Sequence, residues 1–162
     1  MPSVDEVRDV VARVPDPELP MISIADLGIL RKVAVEPTGH IVVQITPTYS
    51  GCPAMDAIRA DVFEQLRSHG WVDAEVRTVL SPAWTTDWIT PQGRDALLEH
   101  GIAPPGPRGG KGGGPVPLTL AVRCPRCGSP DTREVTRFGS TACKSLWTCR
   151  SCLEPFDHFK AL

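Results

Sequence analysis

Two Cys-x-x-Cys pairs, Cys124/Cys127 and Cys149/Cys152, constrain this chain more than any other feature. Each pair forms a tight turn whose backbone amides face sulfur, and two such turns complete a tetrahedral S₄ metal site. The pairs are 21 residues apart, a spacing suited to a β-ribbon. A tail of roughly 45 residues buries too little apolar surface to fold unaided, so a metal staple is expected on energetic grounds as well. Structural zinc is the expected metal. Iron in a rubredoxin-like site is the rival, because it takes the same four ligands. Cys143 falls between the pairs. It reads either as a small buried strand residue or as an extra ligand, and the buried reading is favoured. Phe138, Trp147, Phe156 and Phe159 are expected to form the small core of the ribbon.

The sixth cysteine stands apart from these. Cys52 lies in Thr46-Pro-Thr-Tyr-Ser-Gly-Cys-Pro-Ala-Met, where a strand gives way to a helix. The segment before it has a regular pattern. Ser3 and Glu6 form a capping box ahead of a helix over residues 3–14, which the prolines of Asp16-Pro-Glu-Leu-Pro end. Residues 29–36 and 41–46 read as strands joined by the turn Pro37-Thr-Gly-His40, with Ile41, Val43 and Ile45 on one face. Pro53 opens a helix that Gly70 stops, and residues 74–80 read as a third strand. A further helix over 91–100 takes Thr90 as its cap. The expected fold class is therefore α+β: a small α-β-β-α-β domain with a three-stranded sheet, followed by a zinc-ribbon module.

Residues 104–117 hold 6 Gly and 5 Pro and cannot build a packed core. They are read as a linker between a front domain, 1–103, and the ribbon, 118–162. Charge divides along the same line. Residues 1–100 carry 8 Lys/Arg against 15 Asp/Glu, and residues 101–162 carry 9 against 4. The two halves thus attract each other or face different partners. No run is long enough to span a membrane, and the acidic N-terminus lacks the apolar core of a signal peptide. Paired cysteines then indicate metal binding in a reducing cytoplasm rather than disulfides.

Cys52 at the start of a helix meets free amides and a partial positive charge, which would lower its pKa and make it reactive or metal-binding. A capping residue without chemistry fits the spacing equally well. Thr46, Thr48, Tyr49 and Ser50 offer hydroxyls and Asp26 a carboxylate for a small polar pocket. His40, His69 and His100 sit next to glycines at turns or helix ends and read as surface residues, and His158 lies in the tail, so a Cys–His hydrolase is weakly supported. Trp84 and Trp88 either pack on the sheet or face a partner.

Several runs carry a specific resemblance. Asp16-Pro-Glu-Leu-Pro, Ile24-Ala-Asp-Leu-Gly, Thr46-Pro-Thr-Tyr-Ser-Gly-Cys-Pro-Ala-Met and Pro82-Ala-Trp-Thr-Thr-Asp-Trp resemble the D-subunit family of the bacterial phenylacetate-CoA oxygenase, the ring 1,2-phenylacetyl-CoA epoxidase. Phe138-Gly-Ser-Thr-Ala-Cys-Lys and Cys152-Leu-Glu-Pro-Phe-Asp-His-Phe-Lys in the tail are similar to the same family. The front half alone resembles the wider family of iron–sulfur assembly factors. The resemblance implies an accessory protein, in keeping with the lack of paired di-iron carboxylate motifs and of a nucleotide fingerprint. It implies that Cys52 is the front-domain cysteine of the family, that Asp16, Glu18 and Asp26 belong to its acidic motifs, and that the client is the [2Fe–2S] reductase or the di-iron oxygenase subunit.

The expected role is assembly or repair of an iron–sulfur or di-iron centre, with Cys52 a transient ligand to iron or a cluster. One thiolate cannot complete four-coordinate iron, so a second protomer in a homodimer or the client must supply the rest. Two alternatives belong to other classes. A nucleic-acid-binding ribbon lacks a dense Lys/Arg stripe with exposed aromatics, and a rubredoxin-like electron carrier would be coloured.

Overall fold

The computed structural model describes residues 1–49, 51–106 and 122–161. The chain separates into two compact units, Met1–Gly93 and Arg94–Leu162.

In the first unit the short-range signals in the sequence set the elements. Helix α1, Val4–Val11, begins at Ser3, whose Oγ accepts from the Glu6 amide at 3.2 Å, while the Glu6 carboxylate accepts from the Ser3 amide at 2.7 Å. This is the expected capping box, which satisfies two otherwise orphaned amides. Strands β1, Leu30–Val35, and β2, Ile41–Ile45, pair antiparallel across the predicted turn, with Val33 opposite Val43. Helix α2, Ala54–Ser68, follows Pro53. It closes where the Gly70 and Trp71 amides donate to the Arg67 and Leu66 carbonyls, so the last turn is satisfied without side chains. Strand β3, Ala74–Thr78, then lies parallel to β2 and completes a sheet of order β1-β2-β3.

β2 is central and presents the near-continuous apolar run Ile41-Val-Val. Ile41, Val42, Val43 and Ile45 are all buried, one more than the single face expected from alternation. α1 packs against α2 and β1, and α2 against β3. Val7 and Val11 of α1 and Ile58, Val62 and Leu66 of α2 are fully buried, each such side chain contributing about 1.5–3 kcal/mol of burial.

The loop after β3 returns to the sheet. Trp84 is buried and its indole Nε1 donates to the Leu27 carbonyl at 3.0 Å, so it packs rather than faces a partner. Trp88, in the 3₁₀ turn Thr86–Trp88, lies under the Arg31 guanidinium, 3.6 Å from the ring centre. Helix α3, Pro91–Glu99, starts where Thr90 Oγ1 accepts from the Gly93 amide at 3.0 Å.

The second unit holds a four-stranded sheet of order β4-β7-β6-β5. β5 is Thr132–Thr136, β6 Lys144–Cys149 and β7 Pro155–Phe159, an antiparallel ribbon. β4 is only Ile102–Ala103, parallel to β7. The two compact units divide between Gly93 and Arg94, and the ribbon sheet includes a strand from before residue 118. Of the expected linker, residues 107–117 lie outside the described residues.

Phe156 and Phe159 are buried; Phe156 packs with Ala103, Cys124 and Cys149, and the partly buried Trp147, Val122 and Cys152 lie against that cluster. Phe138 is a correction to the expected core. It is 72% exposed, beyond the last β5–β6 pair at Thr136/Leu146, with Lys160 Nζ 5.0 Å from its ring centre. Among the described residues no helix is long and apolar enough to cross a membrane.

Candidate metal centres

The knuckles that carry Cys124/Cys127 and Cys149/Cys152 bring all four sulfurs within 4.8 Å of one another. Cys124 Sγ lies 3.7 Å from Cys152 Sγ, and Cys127 Sγ 3.5 Å from Cys149 Sγ. Metal–sulfur bonds of about 2.3 Å at tetrahedral angles separate sulfurs by about 3.8 Å, so the donor set fits a tetrahedral ion. Local backbone builds each turn. The Gly128 amide donates to the Cys124 carbonyl at 2.9 Å, and the Cys149 amide to the Glu154 carbonyl at 3.0 Å. Ser129 Oγ and Ser151 Oγ meet at 2.7 Å and tie one knuckle to the other.

The electrostatics of the sulfurs point the same way. The amides of Cys152 and Ser151 aim at Cys149 Sγ and lower its pKa to about 6. Cys152 is pushed up to about 12. The Glu154 amide favours its thiolate, but burial and the crowding of Cys149, Cys124 and Cys127 outweigh that. Four sulfurs this close become thiolates together only around a cation. Cys143 is not among them. It is buried, with Thr141 Oγ1 3.0 Å from its sulfur and its carbonyl accepting from the Lys160 amide. Among the described residues no other set of three or more His, Cys, Asp or Glu side chains converges within such a radius.

Cys52 occupies the turn between β2 and α2. Its amide donates to the Tyr49 carbonyl and its carbonyl accepts from the Met55 amide, both at 3.3 Å, and its side chain is half-buried. The expected lowering of its pKa is overturned. Burial, the largest influence, raises it, and the charges of Glu18 and Asp16 add to the rise. The amide of Ala54 and the side chain of Tyr49 hydrogen-bond the sulfur and only partly oppose this. The helix N-terminus is present, but desolvation and two carboxylates outweigh it.

Those carboxylates come from the loop after α1. Asp16 is 5% exposed, and its Oδ1 accepts from the Glu18 amide at 2.9 Å and the Leu19 amide at 2.8 Å. The same side chain thus folds its own loop and sets the charge near Cys52. Glu18 is partly buried.

The other residues of the expected pocket separate. Thr46, buried, and Thr48 line a cleft of about 160 Å³ with Pro47, Tyr49, Leu80 and Trp84. Tyr49 is shared between that cleft and the Cys52 thiol. Asp26 is engaged elsewhere: its carboxylate accepts from Thr90 Oγ1 at 2.7 Å and Ser23 Oγ at 3.2 Å, and its carbonyl from the Thr90 amide at 2.8 Å. It fastens the loop before β1 to the start of α3. Ser50 lies outside the described residues.

None of the histidines acts on the Cys52 thiol. His40 Nδ1 lies 2.7 Å from Asp73 Oδ1, a hydrogen bond that raises its pKa. His158 is held neutral by burial, its pKa lowered to about 4. The sequence puts the Tyr49 hydroxyl near Cys52 but carries no signal that it bonds the thiol, because that contact rests on how one loop folds back on itself.

Comparison with known proteins places both halves. Residues 4–78 match the family of "Iron-sulfur cluster assembly protein", and residues 115–160 the "PaaD zinc beta ribbon domain". The D subunit of the "Putative 1,2-phenylacetyl-CoA epoxidase" of Escherichia coli (strain K12) is 44% identical over 161 residues, covering 99% of this chain and 94% of its own length. The chain belongs to the epoxidase D-subunit family. That relative spans nearly the whole chain and so both of these modules, whereas two others match over shorter lengths. A Porphyromonas gingivalis "Fe-S protein maturation auxiliary factor" is 31% identical over 99 residues, 60% of this chain and 90% of that protein. A Staphylococcus aureus "Fe-S protein maturation auxiliary factor SufT" is 39% identical over 83 residues, 51% of this chain and 93% of that protein. Among solved structures, a domain of unknown function, DUF59, from Bacillus anthracis superposes with a TM-score of 0.54 at 27% identity, covering 58% of this D-subunit chain and 90% of its own.

Proposed function

We propose that this protein is an accessory subunit that matures an iron centre of the phenylacetyl-CoA epoxidase in aerobic phenylacetate catabolism. The observation that carries the reading is the charge environment of Cys52. A thiol whose pKa is raised by burial first, and by Glu18 and Asp16 besides, is a poor free nucleophile, but the same two carboxylates attract a cation. Binding a metal ion displaces the thiol proton, so the site favours Fe²⁺ or a cluster over alkylating or acyl-transfer chemistry.

Cys52 supplies one sulfur, Asp16 and Glu18 supply charge, and Tyr49 orients the thiol through its side chain. The remaining ligands come from the client or from Cys52 of a second copy. Incomplete coordination suits delivery, since a carrier that satisfied the ion fully would hold it. Thr46 and Thr48 shape the adjoining cleft. The four-cysteine ribbon takes structural zinc, which its sulfur spacing fits, and serves docking rather than iron transfer.

The client is the reductase with its [2Fe–2S] cluster or the di-iron oxygenase component. Co-expression of the epoxidase with wild-type or Cys52→Ala protein tests the role, with iron counted in each purified component. The expected result is lower iron in one component when the thiol is missing. Equal iron in every component would remove Cys52 from the reading.

A further inference from the structure

A cavity of about 750 Å³ lies within the second unit. Leu98 of α3, Ala103 of β4 with Pro104 after it, Arg123 and Pro125 of the first knuckle, and His158 of β7 line it. Of the four knuckle cysteines only Cys124 reaches its wall. Small-molecule sites have this size and this make-up, mostly apolar with a few polar groups set among the apolar ones.

The ribbon's own bonds hold the walls. The Arg94 guanidinium donates to the Pro105 carbonyl at 2.6 Å, Ala103 pairs with His158 across β4 and β7, and the Cys124 amide donates to the Ser129 carbonyl at 3.0 Å. Thr132 Oγ1 donates to the Val122 carbonyl, next to Arg123. A ligand therefore meets a site already formed and spends little on ordering it.

Two polar side chains share the cavity. Arg123 is exposed, and its Nη1 donates to the Gly128 carbonyl at 3.1 Å. It has no ion pair among the described residues, so most of its five N–H donors are uncommitted. His158 is partly buried, with Nδ1 3.5 Å from Ser145 Oγ, which itself accepts from Trp147 Nε1 at 2.9 Å. His158 Nε2 makes no hydrogen bond among the described residues. No Asp or Glu is among the described residues that line the cavity, so its charge is that of Arg123.

We propose that this cavity binds a small organic acid with an apolar body, the carboxylate on Arg123 and the body against Leu98, Ala103 and Pro104. A guanidinium matches a carboxylate in charge and in the spacing of its donors. His158 Nε2 offers a further hydrogen bond. The apolar walls favour a ligand that brings hydrocarbon out of water, which a bare inorganic anion does not. The inference makes no use of Cys52 or of the proposed role in maturation.

The test titrates 3-phenylpropionate, and 3-phenylpropionamide as its uncharged counterpart, into the full-length, metal-loaded protein. Calorimetry reads affinity and amide NMR reads the place of binding. The acid is expected to bind about tenfold or more tighter than the amide. Its shifts are expected to centre on Leu98, Ala103, Arg123 and His158. Arg123→Gln is expected to abolish the preference for the acid while the amide binds as before. Ala161→Trp, which fills the cavity from an exposed position on its wall, is expected to weaken both ligands. Metal content and thermal midpoint check that each variant is folded.

The wild type alone can overturn the proposal. Absence of binding, equal affinity for acid and amide, or shifts confined to the first unit would each do so. Displacement of the acid by an equal concentration of inorganic phosphate would do so too, because the apolar walls would then contribute nothing. A folded Arg123→Gln protein that keeps the preference for the acid overturns the assignment of the carboxylate to Arg123, and the proposal with it.

Discussion

At the start of α2 the Ala54 amide and the Asp16 and Glu18 carboxylates act on one sulfur in opposite senses, with burial on the side of the carboxylates. The outcome sets how Cys52 behaves in solution. With its pKa raised, the thiol is protonated at neutral pH, so iodoacetamide should modify it more slowly than a model thiol at pH 8. The rate should reach its plateau at a higher pH than that of a model thiol. Glu18→Gln removes one of the charges and leaves the loop amides to Asp16. It should speed alkylation at pH 8 a few-fold and move the profile to lower pH, as followed by mass spectrometry. An unchanged profile would mean that Glu18 does not reach the sulfur. This behaviour was not legible in the sequence. The helix start at Pro53 is local and readable, whereas Asp16 and Glu18 lie more than thirty residues away and act only through the tertiary fold.

Among the elements, the legible parts are those fixed by neighbours in sequence. Ser3 with Glu6, Thr90 with Gly93, and the turn at His40 all rely on contacts within a few residues, and each element begins or ends where those contacts put it. Elements defined by distant pairing are harder. Ile102–Ala103 has two residues and no periodicity, and becomes a strand only because β7 is there to pair with it. Asp26 drew notice as a carboxylate, yet its bonds to Thr90 and Ser23 make it a fastening. Next to it, Gly28 at φ 82° has no room for a side chain: an added Cβ would stand 2.7 Å from Trp88 Cβ and 3.0 Å from the Trp88 carbonyl oxygen. Gly28→Ala should therefore destabilise the first unit by about 2–4 kcal/mol, combining left-handed strain with overpacking. Urea unfolding followed by tryptophan fluorescence measures this, and a cost under about 1 kcal/mol would mean that the 3₁₀ turn yields.

For the whole molecule, the two units draw stability from different sources. The first has a continuous aliphatic core shared by α1, α2 and the sheet, while the second has a few aromatic side chains around four sulfurs. Stripping the metal with a strong chelator should abolish amide protection in β5, β6 and β7 and leave β1, β2 and β3 protected, as read by hydrogen exchange. Loss of protection in both sheets together would show that they unfold as one cooperative body.

The place of β4 has a consequence for how the ribbon can be cut from the chain. Ile102–Ala103 covers the outer edge of β7, the strand that would otherwise end the sheet. A fragment that starts at residue 118 keeps all four knuckle cysteines but loses that cover. Its β7 then presents unpaired amides and carbonyls, a template on which another chain can add a strand.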